Sequence, residues 1–330
     1  MEYRSVAELN ERIVDWSATL PADLQLVVGI PRSGMLAANL LALHLHLPFT
    51  DLEGLCEGRI LAAGQRGVAE PDTRRPLNVL VIDDSVCSGV SMNRARARIA
   101  TAGLPHRIRY GAVFATPEAV REALVDTFAE AVPMPRAFEW NILNTPHLDR
   151  FCVDLDGVLR PPPLTAAPAG GLSRPEAAPA FRPRHRLGWL LSTRPESARA
   201  ALADWLVGQG IAYRRLVLSG AVRSERQAVK FKARAYRASG ADMFIEGDPG
   251  QAAAIAARAR RPVFCASSRS MAYPGQFPRY RYVPARVPSR GEQAMRWLLR
   301  LPGRVARRLG RLARRIAAPL VRPHGGSPML

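Results

Sequence analysis

Two segments of this 330-residue chain run from apolar residues into closely spaced carboxylates. In VLVIDDSVCSGVS, residues 79–91, Asp83 and Asp84 precede a small-residue loop carrying Gly89 and the hydroxyls of Ser85, Ser88 and Ser91. Such a loop can turn backbone N–H groups and hydroxyls toward a phosphate. The positive end of a following helix adds to the attraction. Carboxylates are poor phosphate ligands, so the acidic pair suits the vicinal hydroxyls of a sugar, or a bound divalent cation. In FCVDLDGVL, residues 151–159, Asp154 and Asp156 are one residue apart, which places both on one side of a strand. Asp154 can attack phosphorus while Asp156 protonates the leaving alkoxide.

Further segments supply matching groups. VVGIPRSG, residues 27–34, ends a strand with Arg32, Ser33 and Gly34, where exposed amides and a guanidinium fork can grip a diphosphate. Residues 56–78 hold Arg59, Arg66, Arg74 and Arg75 among Gly and Pro. LLSTRPE, residues 190–196, offers the hydroxyl of Ser192 or of Thr193, with Arg194 beside it. MFIEGDP, residues 243–249, offers Glu246 and Asp248. KFKARAY, residues 230–236, contains Lys230 and Lys232, the only two lysines among 47 basic residues. In a chain that uses Arg almost everywhere, a retained Lys points to a need for a compact ammonium.

The elements that must position these groups fall into two series. Ser5 and Glu8 form a capping box before a helix whose face is Leu9, Ile13 and Trp16. Strands are predicted at 25–30, 79–82 and 109–115, with helices at 35–45 and 92–102 between them. Asp83 and Asp84 then sit at a strand's C-terminal end. The second series has strands at 151–153, 187–191, 216–218, 243–245 and 263–265, with helices starting near Pro195, Ser224 and Pro249. Strand–helix alternation argues for parallel sheets wrapped by helices, an α/β class. Between the first two strands of the second series, residues 160–186 are rich in Pro, Gly and Ala, and suit an irregular flap better than a folded cap. The expected boundaries are 1–148, 149–285 and 286–330.

The 79–91 segment resembles the 13-residue donor motif of type I phosphoribosyltransferases, with Ser88 and Ser91 where that family usually has Thr. Residues 27–34 look like its pyrophosphate loop. The resemblance implies 5-phosphoribosyl 1-diphosphate (PRPP) as donor, held by Arg32, Ser33, Gly34, Asp83, Asp84, Ser85, Ser88, Gly89 and Ser91. It also implies a non-proline cis peptide near Arg32 and Ser33, a lid over 56–78, Mg2+ bridging diphosphate and ribose oxygens, and a β-ribofuranosyl 5-phosphate product. The 151–159 segment resembles motif I of haloacid-dehalogenase-type phosphatases. That likeness implies Asp154 as nucleophile, Asp156 as acid and Ser192 at the transferring phosphoryl with Arg194 alongside. Lys232 is then the neutralising lysine, with Lys230 as the alternative. Mg2+ is implied at Asp154, the Asp156 backbone carbonyl, and Glu246 or Asp248. Family members often have adjacent acids where this chain has Gly247 between two. The expected architecture is two Rossmann-like three-layer α/β domains, the second with a minimal cap.

The fusion of the two, over roughly residues 1–285, resembles bacterial polysaccharide ribofuranosyltransferases that use PRPP. PRAFEWN, residues 135–141, is similar to that family's signature, implying Glu139 as a group that helps deprotonate an acceptor hydroxyl and Trp140 as a platform for a sugar ring. The implied function is transfer of ribofuranosyl 5-phosphate to a glycan, followed by removal of the 5-phosphate. The alternatives are a nucleobase phosphoribosyltransferase with a phosphatase acting elsewhere, and a donor-sensing regulator. Charge adds a location. The formal net charge is +19, and residues 286–322 carry eleven Arg against the single acid Glu292. Val305, Leu309, Leu312 and Ile316 follow helical spacing among those arginines, a basic amphipathic helix suited to anionic lipid and a lipid-linked acceptor. The regular apolar stripe argues against a nucleic-acid arm. No apolar run reaches the roughly 18–20 residues of a membrane span, and the first residues lack the pattern of a secretory signal. Cys56, Cys87, Cys152 and Cys265 show no metal spacing and are expected as free thiols in a reducing cytoplasm.

Overall fold

A computed structural model of the protein describes residues 1–61, 71–160, 178–220 and 222–275. Arg66, most of the expected flap, and the C-terminal tail lie outside these residues. In chain order the first part comprises β1 (Glu2–Arg4), α1 (Val6–Ser17), β2 (Leu26–Gly29), α2 (Gly34–Leu45), β3 (Phe49–Asp51), α3 (Leu52–Glu57) and β4 (Asn78–Val86), followed by α4 (Val90–Ala102), β5 (Arg107–Ala115), α5 (Pro117–Arg121), β6 (Thr127–Ala131), β7 (Arg136–Phe138) and α6 (Glu139–Ile142). The second comprises β8 (Phe151–Asp154), β9 (Leu187–Ser192), α7 (Arg199–Gly208), β10 (Tyr213–Leu218), α8 (Glu225–Ser239), β11 (Met243–Glu246), α9 (Pro249–Ala259), β12 (Val263–Cys265) and β13 (Ser270–Ala272).

Local chemistry explains the element starts. Ser5 and Glu8 exchange the reciprocal bonds of the capping box, and α1 buries Leu9, Ile13 and Trp16. α8 starts after Ser224, whose side chain accepts from the Gln227 amide, and α9 starts after Asp248 with proline in its first turn. Both large sheets are apolar on two faces, as helix-covered parallel sheets must be. In the first, Val79 and Val81 enter one core while Leu80 and Ile82 enter the other. In the second, Val153 and Ile245 face one core, Cys152 and Phe244 the opposite one.

The first sheet has the order β3-β2-β4-β5-β6, all parallel. The order reverses between β2 and β4, and ligands of open α/β sheets bind outside the strand C-termini at such a reversal. The second sheet has the order β10-β9-β8-β11-β12-β13, parallel except for β13. Its reversal lies between β8 and β11. Both crevices coincide with the acidic segments.

Two expectations change. β4 does not stop before the acidic pair. It continues to Val86, with Asp83 opposite Ala112 and Ser85 opposite Phe114. The cause is its neighbour: β5 is itself nine residues long and gives the extension a partner. The helix near Pro195 begins instead with a 3-10 turn, Glu196–Ala198, ahead of α7. Met1–Pro278 cluster as one unit across the change of sheet near residue 148. A parallel ribbon of β1 and β7 joins the halves. Tyr3 of that ribbon sits in the second sheet's core, 5.7 Å from the Phe264 ring, and its hydroxyl donates to the Arg269 carbonyl at 2.6 Å.

Candidate active sites

At the first reversal, the turn after β2 and the end of β4 are in contact. The Pro31–Arg32 peptide is cis, in the loop where a non-proline cis bond is expected. Ser33 donates its hydroxyl to Asp84 Oδ1 at 2.7 Å, closing the crevice between the two strands. Gly34 opens α2 with no room for a side chain: a Cβ would lie 2.8 Å from the Ile82 carbonyl oxygen. Gly89 starts α4 at a φ of 70°, a left-handed conformation that favours glycine. Ser88 and Ser91 flank it and are exposed, and Ser85 is half-buried. Arg32 is exposed at the lip. The expected donor residues therefore converge on one crevice.

The acidic pair is divided in its bonding. Asp83 Oδ1 accepts the Asp84 amide at 2.9 Å. Burial, reinforced by the neighbouring Asp84 carboxyl, pushes Asp83 up to about 8. Asp84 uses its second oxygen to accept the Trp140 indole N–H at 2.7 Å. The sequence suggested a sugar platform at Trp140; the indole instead rests on Phe138, with ring centroids 4.8 Å apart, and fixes Asp84. A raised carboxyl binds its proton more tightly folded than unfolded, so its contribution favours the fold at low pH and is lost as pH rises through about 8. Asp83→Asn is expected to keep the bond to the Asp84 amide, to raise the unfolding midpoint above pH 8 by at least about 2–4 °C, and to lose donor consumption. Thermal unfolding against pH, run beside a diphosphate-release assay, checks both.

Glu139 does not match the role expected of it. Its oxygens accept the Val6 amide at 2.8 Å and pair with Arg269 at 3.2 Å, and its side chain is only 11% exposed. The reason is helical geometry. Glu139 and Trp140 open α6 on adjacent positions, which point about 100° apart. Trp140 turns to the acidic pair, so Glu139 turns to the junction of the two halves.

At the second reversal, β8 and β11 present Asp154 and Glu246 side by side. Lys232, from α8, bonds both: Nζ lies 3.0 Å from Asp154 Oδ1 and 2.8 Å from Glu246 Oε2, with Gln251 Oε1 at 3.0 Å. All three charged side chains are buried. Burial works against the ammonium, but the two carboxylates outweigh it and hold Lys232 above its ordinary value. Two carboxylates share one ammonium, so burial together with the Glu246 charge drives Asp154 up to about 7 despite Lys232. Asp154 Oδ2 also accepts the Gly157 amide at 2.8 Å, which leaves the carboxylate rigidly aimed. Asp156 accepts the Ser192 hydroxyl at 2.6 Å and the Arg194 guanidinium at 2.8 Å. Ser192, not Thr193, is thus the hydroxyl tied to the acid. Lys230 is exposed, on a different face of α8 from Lys232. Asp248 is exposed and caps α9 through the Gln251 amide, so Glu246 is the acid that faces Asp154. Sequence reasoning missed Arg160, which is buried with its guanidinium carbon 5.0 Å from the Trp205 ring centroid. Its position after a turn in a Pro-rich stretch gave no signal.

Gly247, which separates the two acids, has a steric cause. A Cβ there would meet the Gly157 carbonyl oxygen at 2.1 Å and its carbon at 2.5 Å. The loops after β8 and β11 touch backbone to backbone, and a second acid cannot fit between them. Gly247→Ala is expected to cost about 1–3 kcal/mol by overpacking and to displace the loop that orients Asp154. Urea unfolding and phosphate release measured together check this.

No group of three His, Cys, Asp or Glu side chains gathers in metal-ligating geometry among the described residues. The donor set nevertheless suits Mg2+, which takes hard oxygen ligands and commonly only one or two carboxylates, retaining water. Asp154 and Glu246 are two such oxygens, and their charge exceeds that of the lysine between them.

No protein-family model and no curated protein matches the chain. Solved structures similar to it include the xanthine-guanine-hypoxanthine phosphoribosyltransferase of Helicobacter pylori, at 18% identity and a TM-score of 0.32, covering 43% of this chain and 92% of that one. Another is a purine phosphoribosyltransferase from Pyrococcus horikoshii, at 15% identity and a TM-score of 0.32, over 42% of this chain and 92% of that one. A third is a hypothetical protein from Neisseria gonorrhoeae with bound ppGpp, at 14% identity and a TM-score of 0.32, over 43% and 90% of the two chains.

Proposed function

We propose that the chain transfers ribofuranosyl 5-phosphate from PRPP to a glycan hydroxyl, and that its second site then removes the 5-phosphate, leaving ribofuranose in a bacterial surface polysaccharide such as an O-antigen or capsule. The observation that carries this reading is the presence in one chain of two strand-end sites with complementary chemistry. One couples a hydroxyl-accepting acidic pair to a phosphate-type loop. The other is a buried Asp154–Lys232–Glu246 cluster. A salvage enzyme keeps the 5-phosphate of its nucleotide, so a phosphatase beside it would undo the product. A route to neutral ribofuranose needs both steps.

In the first step the acceptor oxygen bonds to C1 of the pentose as the C1–O bond to diphosphate breaks; diphosphate departs with the electron pair, and the acceptor's hydroxyl proton passes to the departing diphosphate. Arg32 and the N–H groups of residues 32–34 stabilise the leaving charge. Asp83 and Asp84 orient the ribose hydroxyls, and Ser33 and Trp140 keep Asp84 aligned. In the second step an Asp154 oxygen attacks phosphorus. The bond from phosphorus to the sugar O5 breaks, and Asp156 supplies the proton that O5 needs. Water then cleaves the acyl phosphate. Lys232 offsets charge at the attacking carboxylate. Mg2+ would be held by Asp154 and Glu246 at this site and would supply charge neutralisation for the phosphoryl oxygens.

The test is an acceptor screen with the full chain. Diphosphate release from PRPP with a lipid-linked glycan is expected, and none with nucleobases. Release with a purine or pyrimidine and none with any glycan would replace this reading by salvage. No helix among the described residues is long and apolar enough to cross a membrane. The arginine-rich tail supports docking on anionic lipid at the inner face of the membrane. The full chain is expected to sediment with anionic liposomes, and a chain ending at Ala285 to stay in solution.

A further inference from the structure

Arg136 belongs to none of the roles above. It opens β7, opposite Glu2 of β1, and strand alternation puts its side chain on the same side as Phe138. The guanidinium carbon lies 5.2 Å from the Phe138 ring centroid. Phe138 in turn stacks on Trp140, which holds Asp84. Arg136 is therefore the outer plate of a stack that ends at the acidic pair. Its Nη1 is buried and has no hydrogen-bond partner among the described residues. Burial pulls the guanidinium below its ordinary value, against an opposing electrostatic influence from Cys87 and Asp84. Asp84 accepts instead from Ser33 and Trp140. Cys87 opens the 87–89 turn between β4 and α4, beside the hydroxyls of Ser85, Ser88 and Ser91 and an amide-bearing turn suited to a phosphate.

A buried N–H without a partner is rare in folded chains, since nothing replaces the bond it made to water. One that persists beside a loop of this kind is matched by an anion that arrives with the substrate. A guanidinium fork fits phosphate oxygens two at a time, which an ammonium cannot do. We propose that Arg136 is a further phosphate ligand of the donor site, reaching from β7 toward the turn between β4 and α4 and the phosphate monoester end of the pentose. This rests on the donor-site reading given above. It assigns the β1–β7 ribbon a part in recognising the charged pentose, while Arg32 and the 31–34 loop handle the diphosphate end.

The test is calorimetric titration of the full chain, carrying Asp154→Asn in every protein so that the second site does not turn over the ligand, with ribose 5-phosphate and, separately, with diphosphate. Arg136→Met keeps an apolar stem over Phe138 and removes the fork. It is expected to weaken ribose 5-phosphate binding by about tenfold or more, to leave diphosphate binding within about threefold, and to leave the unfolding midpoint no lower. Arg136→Lys is expected to recover only part of the affinity. Unchanged ribose 5-phosphate affinity in Arg136→Met, with normal binding by the Asp154→Asn parent, would overturn the assignment alone. A parent chain that bound neither ligand would overturn the donor site itself. Should Arg136→Met fail to fold, Arg136→Lys decides: parent affinity refutes the bidentate contact, and a clear loss supports it.

Discussion

Asp154→Asn is expected to reduce phosphate release from a ribosyl 5-phosphate glycoside by about four orders of magnitude or more, the scale of losing a covalent nucleophile, while leaving the fold intact. The geometry gives both halves of that expectation. An amide oxygen at this position can still accept the Gly157 amide, and Lys232 keeps Glu246 at 2.8 Å and Gln251 at 3.0 Å. The substitution also removes a buried charge that burial and Glu246 already disfavour. Loss of activity without loss of structure separates a nucleophile from a scaffold residue. Phosphate release in a coupled assay and urea unfolding of the same preparation check it. Activity near the wild-type level would show that Asp154 is not the attacking group.

Lys232→Met is expected to behave in the opposite way in stability, at a cost of about 3–5 kcal/mol. Asp154 and Glu246 would then face each other in a buried crevice with no ammonium between them. Removing one partner of a buried ion cluster leaves the remaining charges desolvated, and they take up protons to escape part of the cost. The stem of Met fills most of the space, so the effect is electrostatic and not a cavity. A double variant, Asp154→Asn with Lys232→Met, is expected to be less destabilised than the sum of the two single changes, because it removes the charge that Lys232 neutralises. Urea unfolding of the four proteins forms the complete cycle. A Lys232→Met midpoint equal to the wild type would contradict the account of the cluster.

The clustered groups of the second crevice were legible because their signals are local. Each closes an apolar strand or, for Lys232, stands out in a chain with only two lysines. Strand ends in an α/β sheet converge at the order reversal, so the sequence pattern carried over directly into Asp154, Glu246 and Ser192 lying near one another. Members of pairs that spacing left open differ in their surroundings: Lys232 is buried and Lys230 exposed, and Asp248 caps α9 while Glu246 is buried against Lys232. What was not legible depends on pairings distant in sequence. The parallel ribbon of β1 and β7 matches Glu2 with Arg136, and no periodicity in three-residue strands announces it. Glu139 became a junction residue because its partners, Val6 and Arg269, come from opposite ends of the described chain. Trp140 became a support for Asp84 for the same reason. The extension of β4 through the acidic pair was masked by its own carboxylates, although its partners, residues 112–115 of β5, lie inside the predicted strand. Gly247 reads as a departure from a family pattern until the Gly157 carbonyl is seen against it.

Mass measurement of the glycan product tests most directly whether one pentose visits both sites. The full chain and its Asp154→Asn variant would each be incubated with PRPP and a lipid-linked acceptor. The account predicts a single added pentose from the wild type, and from the variant the same pentose heavier by one phosphate. Products of equal mass from the two proteins, or an acceptor left unmodified by both while PRPP is intact, would contradict it.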